Sequence, residues 1–167
     1  MLDTAISTAA FPMLELQKIT EIAKRFDWKI EFSSGLGYRE EALKVFLNAN
    51  IKKIHHNYFP APKEPFVLNL ASSNPEIRRR SINHCLHGID IADKIDAPFY
   101  SAHAGFCVDP NPEELGVKIK KREKFDRNIH FDLFLESVQE ILEYAKKQEQ
   151  VFLIENNVTN MENVKIH

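Results

Sequence analysis

Short apolar runs alternate with amphipathic helical stretches along the whole chain, and this alternation constrains the fold more than any other feature. Residues 5–11 are extended and mostly small or apolar, and Leu14, Ile19, Ile22, Ala23 and Phe26 follow at helical spacing. Residues 28–32 read as a second strand, closed by Ser33-Ser34-Gly35-Leu36-Gly37. Ala42, Leu43, Val45, Phe46 and Leu47 mark a second helix, and residues 51–58 a third strand that Pro60-Ala61-Pro62 ends. Asn74 is a good N-cap, and Pro75 suits the first helical position, where no N–H bond is needed. Ile82, Cys85, Leu86, Ile89, Ala92 and Ile95 then form one apolar stripe. Residues 99–103 make a fourth strand. Residues 131–147 make a fourth helix, with Phe134, Val138, Ile141, Leu142 and Ala145 inward. Val151-Phe152-Leu153-Ile154 is continuously apolar, as expected of a parallel strand covered on both faces.

Strands that alternate with helices imply right-handed βαβ units and a parallel sheet. A doubly wound sheet and a barrel both satisfy the pattern, and periodicity does not choose between them. The chain has 167 residues, enough for one core of ordinary size. Asn160 reads as a cap, with a helix beginning over residues 161–167. An eight-unit barrel needs about 250 residues. The expectation is therefore five β/α units of a single domain over residues 1–167, cut short at the C-terminus, or a half-barrel that dimerises over its open edge.

The formal net charge of −2 argues against a broad nucleic-acid surface, which needs clustered positive charge. No apolar stretch is long enough to span a bilayer. With no secretory signal at Met1-Leu2-Asp3, Cys85 and Cys107 are expected as reduced thiols in a cytoplasmic protein.

Three residues stand at strand ends, where the active sites of parallel α/β folds lie. Glu155 follows the apolar run directly, and a carboxylate there needs a cation or donors to compensate its burial. His103 ends the fourth strand, and His56 lies near the end of the third. Because side chains alternate, only one of His55 and His56 can point inward. Two imidazoles and a carboxylate form a normal ligand set for a divalent ion such as Zn²⁺ or Mn²⁺. His84 and His87 share a face of a helix that should lie outside the barrel, so a structural role is expected there. The basic run 118–127 reads as a solvated loop, with a phosphate-contacting loop as the sharper alternative.

At these residues the sequence resembles the xylose-isomerase-like TIM-barrel superfamily, which includes sugar-phosphate isomerases, epimerases and endonuclease IV. The carriers are Asn69-Leu70-Ala71-Ser72 followed by Arg80-Ser81-Ile82, then His103-Ala104-Gly105, Ile154-Glu155-Asn156 and Ile30-Glu31-Phe32. His103-Ala104-Gly105 is similar to the superfamily's His-Pro-Gly turn, with alanine in place of proline. The resemblance implies a (β/α)₈ barrel and His56, His103 and Glu155 as metal ligands. It implies Glu31, Asn57 and Asn156 as substrate contacts and Glu155 as a catalytic carboxylate. Further ligands would come from strands six to eight, so these five units alone would hold an incomplete site. The implied activity is metal-assisted proton transfer beside the carbonyl of a small carbohydrate. Metal-dependent phosphodiester hydrolysis and non-catalytic sugar binding are the alternatives.

Overall fold

The computed structural model describes residues 4–33, 35, 37–115, 117–119 and 125–157. The expected Asn160 cap and its helix, residues 120–124 of the basic run, and Ser34 and Leu36 of the glycine turn lie outside the described residues. The element order is β1 (Ile6–Ser7), α1 (Leu16–Phe26), β2 (Ile30–Phe32), α2 (Ala42–Asn48), β3 (Lys53–His55), α3 (Pro75–Lys94), β4 (Tyr100–His103), α4 (Arg127–Lys147) and β5 (Phe152–Glu155). The alternation expected from the apolar periodicity is present in full. Strands β1 to β4 are shorter than their apolar runs, β5 is shifted by one residue, and residues 8–10 of the first run form a 3-10 turn.

The helix starts follow the capping chemistry. Asn74 accepts from the Glu76 amide at 2.9 Å ahead of Pro75, and Asp126 accepts from the Asn128 amide at 2.9 Å. The second cap starts α4 four residues earlier than the apolar stripe does. Two packed cores result. Leu16, Ile19, Ile30, Phe32 and Phe46 seal α1 and α2 onto β1–β3. Ile82, Ile89, Tyr100, Ile141 and Phe152 seal α3 and α4 onto β4 and β5. Phe26, Leu47 and Leu142, which the periodicity puts inward, are exposed instead. Each lies at the margin of its stripe, beyond the arc that one sheet can cover. No described helix is long and apolar enough to cross a membrane.

Every strand pair is parallel, but the expected single sheet of five strands is divided. Among the described residues β1 pairs with β2 and β2 with β3, while β4 pairs with β5 and not with β3. At the division, side chains bond a backbone acceptor just beyond the end of β3. The Asn57 carbonyl accepts from the Tyr100 hydroxyl at 2.8 Å and from His84 Nε2 at 2.7 Å. His55 stacks on Tyr100 with ring centroids 5.3 Å apart, and its Nε2 donates to the Gly88 carbonyl at 3.1 Å. The gap between β3 and β4 is thus filled by rings and polar contacts. His84 has the structural role expected of it, and His87 is exposed on the outer helix.

This junction makes stability depend on pH. Desolvation, opposed by the Gly88 carbonyl, pushes the buried His55 imidazole from 6.5 down to about 4, and burial also lowers His84. His55 is therefore neutral in the folded state above about pH 4. Below pH 6.5 the unfolded chain binds protons that the folded chain refuses, so stability falls as pH falls from 6.5 toward 4. At about 1.4 kcal/mol per pH unit, His55 alone accounts for about 3 kcal/mol. Urea midpoints measured from pH 7 to pH 4.5 are expected to drop, and to drop less in His55→Gln. A midpoint that does not move between pH 7 and pH 5 would contradict this account.

Candidate metal centre

Strand alternation decides which side chains face away from the helices. Ile30 and Phe32 of β2 are buried against α1 and α2, which turns Glu31 to the opposite face. His55 is in register with Phe32, so it faces the helices, and His56 turns the other way. Of the adjacent pair it is therefore His56 that reaches the inner face. On β4, Tyr100 and Ala102 are buried in the helical core, leaving Ser101 and His103 inward. Glu155 is in register with His103 on β5. The three strand ends bring His56, His103 and Glu155 together, each half-buried, with one ligand atom apiece all within 4.8 Å of one another.

Neighbouring groups orient this cluster. The Ser101 hydroxyl donates to Glu155 Oε1 and fixes one carboxylate oxygen. His103 Nδ1 lies 3.2 Å from the Asn156 carbonyl. That acceptor calls for the proton on Nδ1, which leaves the Nε2 lone pair free to bind an ion. Burial lowers the His103 pKa, against the pull of the Glu155 charge, which favours the neutral imidazole a metal requires. His56 Nδ1 is buried without a hydrogen-bond partner. Two imidazoles and a carboxylate with these free donor atoms fit a divalent ion such as Zn²⁺ or Mn²⁺.

The turn after His103 is clamped from beneath. Gly105 has φ of +133°, and a Cβ there would meet Asn69 Oδ1 at 2.5 Å. Fully buried Asn69 accepts from the Phe106 and Ala71 amides and donates to the Val108 carbonyl and the Asp109 carboxylate. Asn157 donates to the Gly105 carbonyl. Asn69 is visible in the sequence only as part of a motif, and Ser101 is missed altogether when strand ends alone are read. The period of two places Ser101 on the face of His103, which is the signal that finds it.

The remaining candidates are placed as follows. Glu31 is half-buried on the inner face of β2, and Asn156 is exposed directly after Glu155. Asn57 is fully buried, and its side-chain amide has no hydrogen-bond partner. Beside the triad a cavity of about 250 Å³ is lined by His103 and Asn157 together with Tyr58, Leu68, Phe106 and Leu115. A larger cavity of about 480 Å³, between the turn after β4 and the start of α4, touches no member of the triad.

No family model matches the chain, and no curated protein does. Solved structures do. A D-tagatose 3-epimerase-like protein superposes with a TM-score of 0.62 at 17% identity, over 94% of this chain and 54% of its own. D-psicose 3-epimerase of Clostridium cellulolyticum, in complex with D-tagatose, gives 0.55 at 15% identity, over 90% and 49%. The TTHB071 protein of Thermus thermophilus, soaked with ZnCl₂, gives 0.56 at 18% identity, over 93% and 56%. The chain spans about half the length of each of these structures. Its fold is that of part of a TIM barrel, present among the described residues as five parallel strands alternating with four helices.

Proposed function

We propose that this chain forms the metal-binding half of a carbohydrate isomerase or epimerase. The observation that carries the reading is the convergence of His56, His103 and Glu155 at the carboxyl ends of three parallel strands. The sugar epimerases among its structural neighbours and the zinc-soaked relative support it. A bound divalent ion would polarise the sugar's carbonyl and neutralise charge that develops on its oxygens. His56 and His103 would present neutral imidazole nitrogens to that ion. Glu155, with one oxygen fixed by Ser101, would complete the ligand set and take the proton from the carbon beside the carbonyl. Glu31 and Asn156 would meet the sugar's hydroxyls, with buried Asn57 supporting the wall rather than forming its surface.

Three protein ligands leave at least one tetrahedral position open, which suits catalysis but lowers affinity in an isolated half. Proton exchange by this chain is therefore expected to be slow. The test is incubation with D-fructose and Zn²⁺ in D₂O, with deuterium at carbon read by mass spectrometry. Incorporation should exceed the protein-free rate and vanish with EDTA and in His103→Ala. Incorporation that persists in EDTA, or none above the protein-free control, counts against the reading.

A further inference from the structure

We propose that the carbohydrate held at the triad carries an apolar, planar substituent, and that an aromatic groove leading away from His103 is its seat. This inference rests on the carbohydrate reading above. The cavity beside His103 does not end at the mouth. A second cavity of about 270 Å³ lies next to the first, with Tyr58 and Leu115 lining both, and the proposed trough runs through the two. Its near walls include Val67, Leu68 and Phe106, and its far walls Tyr38, Pro62 and Phe66. The trough therefore begins at a metal-ligand candidate and continues over aromatic and aliphatic surface.

The chemistry of the walls selects the ligand. Among the described residues lining the near half, the polar side chains are His103, Asn157 and Tyr58. The Tyr58 oxygen already accepts the Leu68 amide. A hydroxyl-rich or phosphorylated tail would shed water there and find few partners, at a cost. A ring would instead bury its faces. Tyr58 and Phe66 stand with ring centroids 6.1 Å apart, and the Arg80 guanidinium backs Phe66 at 4.2 Å, holding that ring in place. Tyr38 is 50% exposed and Leu115 44% exposed, apolar surface left open beside a polar site. Lys63 at the far end is the one cation among the described lining residues, so a phosphate reaching that far is the competing outcome.

The experiment compares three ketoses that share one metal-binding head and differ at the distal carbon: 6-O-benzyl-D-fructose, D-fructose and D-fructose 6-phosphate. Calorimetric titrations are run on the full chain with excess Zn²⁺, and on Tyr38→Ser, a change at a half-exposed side chain of the far wall. The benzyl ether should bind at least about tenfold more tightly than fructose, the gain expected from burying part of one ring. Tyr38→Ser should shrink that margin and leave the affinities for zinc and for fructose unchanged. Equal affinity for the benzyl ether and fructose, or tightest binding of the phosphate, overturns the groove proposal alone. Zinc binding with no affinity for any of the three overturns the carbohydrate reading and this inference with it.

Discussion

Replacing Glu155 with alanine is expected to weaken Zn²⁺ binding by about 100-fold or more. Loss of a group that merely orients a ligand costs about 10- to 100-fold in metal affinity, and Glu155 is proposed as a ligand. It is also the negative charge of the cluster, since His56 and His103 must be neutral to bind an ion. Without it, two imidazoles would face a dication with no compensating charge. Ser101→Ala should give a smaller loss, about tenfold, because only the hydrogen bond to Oε1 is removed. Glu31→Ala should leave zinc affinity as it was, because Glu31 stands on β2, outside the triad. Competition against a chromogenic chelator measures all three variants. If Glu155→Ala retains wild-type affinity, or Glu31→Ala loses as much as Glu155→Ala, the centre has been assigned to the wrong side chains. Folding should survive these changes, since Glu155 is half-buried at the end of β5, the edge strand of its sheet among the described residues.

That edge shows what the sequence could and could not convey. The apolar run at 151–154 announces a strand with two covered faces, and β5 is a strand. Leu153 and Ile154, which point to opposite faces, are nevertheless 43% and 44% exposed. Hydrophobicity records what a strand requires, not which partner supplies it. The positions of His56, His103 and Glu155 were legible because strand ends follow from short apolar runs, and alternation then fixes the face. The division between β3 and β4 was not legible. At that junction the Asn57 carbonyl is taken by Tyr100 and His84, residues 43 and 27 positions away, and no local pattern encodes that contact. The clamp on the His103 turn is hidden for the same reason, since Asn69 reaches Phe106 across 37 residues.

The junction between β3 and β4 is where a single methyl group is expected to do the most damage. Gly88 lies inside α3, and alanine in a helix interior ordinarily stabilises by about 0.5–1 kcal/mol. Here a Cβ would fall within the van der Waals envelope of Tyr100 Cζ and Cε2, and 2.8 Å from Cε1. Tyr100 cannot move aside cheaply. It is fully buried, its hydroxyl is bonded to the Asn57 carbonyl, and its ring lies between His55 and Phe152, at 5.3 and 6.2 Å. Overpacking of this kind costs about 1–3 kcal/mol, and the number of fixed contacts around this ring puts Gly88→Ala at the upper end, about 3 kcal/mol destabilised. The helix propensity gain offsets only a fraction of that. The strain should also reach the metal centre, because Tyr100 and His103 share the four residues of β4. A double-mutant cycle isolates the cause. Tyr100→Leu removes the ring and destabilises by itself, but in that background Gly88→Ala should become neutral or stabilising, as in an ordinary helix. Urea denaturation of the four proteins reads the cycle. A stabilised Gly88→Ala single variant, or an unchanged penalty after Tyr100→Leu, would show that the ring of Tyr100 is not what excludes a side chain at position 88.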